Sequence, residues 1–177
     1  WIKEQMMIQS EKNIDTSLDL IEKNESMNSV SSTMSKVYNK VTYETNNQLD
    51  KMELSKAVSM IKGSDVVNIY GTASNYEVAK QACYNFSTLG HVSQAFHSNN
   101  IQYINNVAKK GNEKIVSVVI SHNGKNQEII RTCKNLRKAG FPIIAIVGNK
   151  DSEIAELANQ ILSERKLNGE LVRFDRG

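Results

Sequence analysis

The chain has 177 residues, about one domain plus an appendage, and its 40% hydrophobic and 23% charged residues exclude wholesale disorder. The formal charge of +3 is unevenly placed: residues 1–60 hold seven Lys, no Arg and nine acids, a net of −2, which leaves +5 for the rest. An acidic, Arg-free first third offers little to a DNA backbone, and the modest excess downstream suits a small anion without demanding nucleic acid.

Residues 1–60 read as helix. No Gly or Pro occurs before Gly63, and apolar residues recur at helical spacing as Ile14, Leu18 and Ile21, then Met34, Val37 and Val41. The Ser/Asn-rich residues 24–33 predict a break, and residues 49–61 a further helix. After Gly63 the pattern changes. Residues 66–70 are β-branched and aromatic and end at Gly71, which predicts a strand and a turn. Residues 73–89 predict a helix closed by Gly90, residues 91–96 a second strand, and residues 101–110 a short helix closed by Gly111.

Residues 115–120 form an apolar, β-branched run suited to a strand buried on both faces. Residues 124–139 predict a helix with Ile129, Ile130, Cys133 and Leu136 on one side. Residues 142–147 predict another buried strand, and residues 151–158 a helix capped by Asp151 or Ser152. Ile161 and Leu162 make a short fifth strand, and residues 170–174 read equally as strand or loop. Five strand–helix alternations argue for an α/β fold, a three-layer αβα sandwich on a five-stranded parallel sheet. In the flavodoxin-like order 2-1-3-4-5, ligands sit beyond the carboxyl ends of strands one and three.

The longest unbroken apolar stretch is seven residues, 141–147, with a proline inside, against ~20 for a spanning helix. Cys83 and Cys133 cannot build a disulfide framework and read as reduced thiols, so a cytoplasmic protein is expected. No secretory signal is apparent. The chain opens on Trp1, so further sequence is expected upstream.

The two loops at the expected switch point read Gly71-Thr72-Ala73-Ser74-Asn75 and Ser121-His122-Asn123-Gly124-Lys125-Asn126. Both are rich in hydroxyls and amides and lead into helix starts, where free N–H groups and a partial positive charge suit a phosphate. Gly124 lets backbone approach a ligand, and Lys125 adds a charge. The same composition also serves the caps and tight turns of any βα unit, which is the commoner use. Neither loop carries a Walker A pattern or a dinucleotide fingerprint.

The stretch 66–162 resembles the SIS (sugar isomerase) domain. "VVNIYGTASN" is similar to that family's first strand and small-residue loop. "VSVVISHNGKNQEII" resembles its third strand and Ser-x-Ser-Gly-x-Thr phosphate loop, and "AGFPIIAIVGNKDSEIAELANQIL" its next β-α-β segment. The lead-in "VYNKVTYETNNQLDKMELSKAVSMI" is similar to the linker of RpiR-type transcription regulators, which join a helix-turn-helix domain to an SIS domain.

The resemblance implies phosphosugar contacts from Ser121, His122, Asn123 and Asn126, with Gly124 at the close approach. Thr72, Ser74 or Asn75 would contribute from the Gly71 loop. Asn123 stands for the family's second Ser and Asn126 for its Thr, and Ala73 stands where small residues vary. Family members also continue into a final helix beyond the point where this chain stops. The implied organisation is a helical, dimer-associated lead-in over 1–60 and an SIS domain over 61–177.

His91, His97 and His122 are the only histidines. His97 and His122 stand near the loops and read first as polar loop residues. Glu128 suits the first turn of its helix, and both cysteines read as core packing. No metal-ligand spacing occurs. The resemblance thus implies a non-enzymatic effector domain of a regulator of carbohydrate metabolism, without cofactor or membrane association. It would sense a phosphorylated sugar, form a homodimer, and reach DNA through a domain outside this chain. The alternatives are a phosphosugar isomerase of the same fold, with His97 as base, and a non-sensing dimerisation module, which the Asn123 and Asn126 departures favour over the enzyme.

Overall fold

A computed structural model describes residues 26–97, 100–111 and 113–163. The helix expected over the first 25 residues and the element expected at 170–174 lie outside the described residues. Helix α1 (Met27–Gln48) belongs to the first of two compact units. It starts inside residues 24–33, where the sequence predicts a break, and residues 27–33 are already helical. Ser26 sets the start: its hydroxyl accepts from the Ser29 N–H at 3.3 Å, so the polar segment begins the helix. With no Gly or Pro after it, the weak helical preference of Ser and Asn does not stop propagation.

The second unit, Leu49–Glu164, contains the sheet. Its elements are α2 (Lys51–Lys62), β1 (Val66–Tyr70), α3 (Ser74–Thr88), β2 (Val92–Phe96) and α4 (Ile101–Lys110). They continue with β3 (Ile115–Ser121), α5 (Gln127–Lys138), β4 (Ile143–Val147), α6 (Glu153–Leu157) and β5 (Gln160–Ser163). All four strand pairings are parallel, in the expected order β2-β1-β3-β4-β5. β1 is buried along its whole length, and β3 at every position but Ile120, as continuous apolar runs predict for central strands. Edge strand β2 is partly exposed.

Successive residues of each strand feed two cores. On one face Val67, Ile69, Val116, Val118 and Ile144 pack with Ala57 of α2 and Ala79, Cys83 and Phe86 of α3. On the other, Tyr70, Val119, Ile143, Ala145 and Val147 meet Ile104 of α4, Ile129, Ile130, Cys133 and Leu136 of α5, and Ile154 of α6. The helices that follow β1 and β3 therefore leave to opposite faces, which opens a crevice between the two strand ends.

Two helices start later than the sequence predicts. Helix α5 begins at Gln127 because Gly124 sits at φ +66° and Asn126, in an extended conformation, caps it. Helix α6 begins at Glu153 because Ser152, not Asp151, is its cap, accepting from the Ala155 N–H at 3.4 Å.

Candidate functional site

The Gly71 loop is bent sharply. A Cβ on Gly71 would lie 2.5 Å from the Asn75 carbonyl oxygen, so only glycine lets α3 start this close to β1. The Asn75 N–H donates to the Thr72 carbonyl at 3.1 Å, closing a four-residue turn with Ala73 at its second position. Ala73 has φ 50° and ψ −125°, the type II′ geometry that glycine normally supplies. No side chain caps the start of α3. The Ser74 hydroxyl is exposed and makes no hydrogen bond among the described residues.

In the second loop, Ser121 is buried at the end of β3 and its hydroxyl has no partner among the described residues. The Asn123 carboxamide oxygen accepts from the Lys125 N–H at 3.0 Å. Asn126 does more. Its oxygen accepts from the N–H groups of Glu128 and Ile129 at 3.0 and 3.1 Å, and its nitrogen donates to the Thr72 hydroxyl at 3.2 Å. One side chain thus starts α5 and ties the two loops together. Lys125 is exposed and makes no ion pair among the described residues.

The close approach at Gly124 is to protein. A Cβ there would lie 2.2 Å from the Ser152 hydroxyl. The loop after β4 braces the second loop again at His122, whose carbonyl accepts from the Gly148 N–H at 2.9 Å. Gly148 and Ser152 are therefore supporting residues of the second loop that sequence reasoning missed. The signal was present: β4 neighbours β3, and residues 148–152 carry the same glycine, amide and hydroxyl composition at the same sheet end.

Among the described residues the histidines pack singly and are not brought together. His97 lies edge-on to Tyr76, with ring centroids 5.1 Å apart, and His91 packs on Phe86 at the other end of β2. The His122 side chain is exposed. Glu128 occupies the first turn of α5. Burial pushes the Cys133 thiol up to about 12 and raises that of Cys83, so neither is an activated nucleophile.

A family model of the SIS domain matches residues 60–169. The chain belongs to the SIS domain family. Among curated relatives, the SIS domain here is 24% identical over 120 residues to an uncharacterized HTH-type transcriptional regulator of Thermotoga maritima, covering 68% of this chain and 42% of the relative. The chain spans less than half the length of the curated relatives it matches. By fold it is similar to the sugar isomerase domain of an RpiR transcription factor from Sphaerobacter thermophilus, with TM-score 0.60, 16% identity, and 72% of each chain covered. It is also similar to the Vibrio vulnificus NanR protein complexed with ManNAc-6P, with TM-score 0.61, 15% identity, and 70% of this chain and 46% of that one covered. Among the described residues no helix is long and apolar enough to cross a membrane.

Proposed function

We propose that this SIS domain is the effector-binding part of a helix-turn-helix transcription regulator, and that its two loops seat the phosphate of a phosphorylated sugar. The observation that carries the reading is the Asn126–Thr72 hydrogen bond, which joins loops 54 residues apart at the ends of neighbouring parallel strands. The same two loops carry the uncapped start of α3, the Ser74 and Ser121 hydroxyls, which have no partner among the described residues, and the exposed Lys125. Hydroxyl donors, open helix N–H groups and one cation make a phosphate-binding set. The HTH-type relatives and the neighbour carrying ManNAc-6P support the same reading.

The roles divide by residue. Ser74 and Ser121 donate to phosphate oxygens and Lys125 neutralises charge. Asn126 and Asn123 shape the loop, because their oxygens are already taken by backbone N–H groups. Regulation is then linkage: the sugar phosphate favours one arrangement of a dimer, and that arrangement sets how DNA-binding heads outside this chain are presented.

The test is a thermal-shift panel of sugar phosphates against their parent sugars. A ligand at a hundred times its Kd stabilises the folded state by ~2.7 kcal/mol. The expected result is a shift with a phosphosugar, absent for its parent sugar, lost in Ser121→Ala and weakened about tenfold in Lys125→Ala, a change of about 1.4 kcal/mol. Absence of a shift with every sugar phosphate removes the proposal, and turnover of the bound ligand replaces sensing with isomerisation.

A further inference from the structure

The sheet face beneath α4 is not uniformly apolar. Asn68 on β1 and Ser117 on β3 are register neighbours and almost fully buried. Tyr70, two residues along from Asn68, shares that face and is buried as deeply. Helix α4 lays Tyr103 over the group. The Phe96 ring lies 5.0 Å from the rings of both Tyr70 and Tyr103. The Tyr103 hydroxyl meets the Asn68 amide at 3.4 Å to its nitrogen and 3.5 Å to its oxygen. Both distances are at the outer limit of hydrogen bonding, and one hydroxyl faces both ends of the amide.

The hydroxyls of Tyr70 and Ser117 are buried with no hydrogen-bond partner among the described residues. Burial raises the Tyr70 phenol above its ordinary value, Tyr103 adds to the effect, and the nearby Asn68 amide opposes it. Polar groups this deep are nearly always satisfied, by protein or by internal water. Two such groups on one face of adjacent strands, around an amide that is itself weakly bonded, point to a shared occupant.

We propose that Asn68, Tyr70, Tyr103 and Ser117 form an internal water-binding site between the sheet and α4. The amide supplies two donors and an acceptor, and each hydroxyl donates and accepts, so the group matches the roughly three bonds that a buried water makes. No charged side chain belongs to the cluster, and its neutral donors and acceptors suit water. Helix α4 contacts the cluster through Tyr103, next to Ile104, its one fully buried residue. The site is separate from the loops above it, and the inference does not rest on the phosphosugar reading.

The test uses the full chain and the variants Tyr70→Phe, Ser117→Ala and their combination. A bridging water makes both hydroxyls stabilising. Each single variant then lowers Tm by about 2–4 °C, and the double variant falls by less than the sum because both act through one site. Hydroxyls without any partner give the opposite sign, with Tm unchanged or raised, and that result overturns the proposal. Should Tyr70→Phe fail to fold, Ser117→Ala alone still carries the sign. A high-resolution crystal structure decides independently: ordered water bonded to the Ser117 hydroxyl supports the site, and a dry cluster refutes it.

Discussion

Gly124 and Ser152 are locked against each other: the hydrogen of Gly124 points at the Ser152 side chain, and a methyl in its place would sit 2.2 Å from the hydroxyl oxygen and 2.3 Å from Cβ. The same serine caps α6, so the second loop and the start of α6 are fixed as a pair. Gly124→Ala is therefore expected to be strongly destabilising. It adds an overpacking cost of about 1–3 kcal/mol to the cost of a left-handed alanine, about 1–2 kcal/mol. Ser152→Gly in the same chain removes the clash and restores part of the loss. Urea melts of the two single variants and the double variant check this; additive losses would show that the two residues do not compete for one space.

The Asn126 side chain has two separable roles, and two substitutions divide them. Thr72→Val removes the acceptor of the Asn126 amide and leaves the Asn126 oxygen on the Glu128 and Ile129 N–H groups. Asn126→Ala loses both. The valine variant is expected to lose about 0.5–1.5 kcal/mol for the hydrogen bond, and the alanine variant about 1 kcal/mol more for the cap. Thr72→Val should add nothing further to Asn126→Ala, because the bond is already gone. Chemical denaturation reads all three. A further loss in that double variant would mean that the bond does not hold the loops together.

Ala73 carries backbone strain that its neighbours enforce. With φ 50° and ψ −125° it occupies the glycine position of a type II′ turn, and the Asn75 N–H to Thr72 carbonyl bond holds it there. Such conformations cost on the order of 1–3 kcal/mol. Ala73→Gly relieves that cost but loosens the unfolded chain, which returns about 0.4–1 kcal/mol. The expected balance is a modest gain in stability, seen as a higher Tm. A lower Tm would place the alanine methyl in a favourable contact that outweighs the strain.

The architecture was readable because the central strands are short, mostly apolar runs, interrupted within by Asn68 in β1 and Ser117 in β3 and each followed by a polar loop. The alternation of strands and helices announced the parallel sheet, and the order 2-1-3-4-5 was an expectation that the strand pairings bear out. The loops were readable as composition but not as roles. Nothing around Gly124 announces that its empty side faces Ser152, 28 positions on, and nothing around Asn126 announces Thr72. Sequence places such residues at the correct strand ends, while only packing shows that Asn126 shapes the loop and that its oxygen is spent on a helix start. The break expected over residues 24–33 narrows for a related reason: Ser26 caps a helix start within that stretch, and the serines that follow it in the helix only weaken it.

One carboxylate links helix α2 to the edge strand β5, beside the apolar contacts of Ala57, Met60 and Ile61. Glu53 accepts from the Lys56 ammonium at 2.9 Å and from the side-chain amide of Gln160, the first residue of β5. The Lys56 bond above all, with Gln160 adding, holds the Glu53 carboxyl below its ordinary value of 4.5. A carboxylate depressed on folding contributes stability that is fully present above the unfolded value and is lost as pH falls through the folded one. Glu53→Ala is expected to melt below the wild type at pH 7, and the gap should narrow as pH drops under about 4.5, where protonation weakens both contacts. Paired thermal melts from pH 7 to pH 3 measure that gap. A gap of constant size across the range would show that α2 is held by its apolar face through Ala57, Met60 and Ile61, with the Glu53 charge contributing nothing.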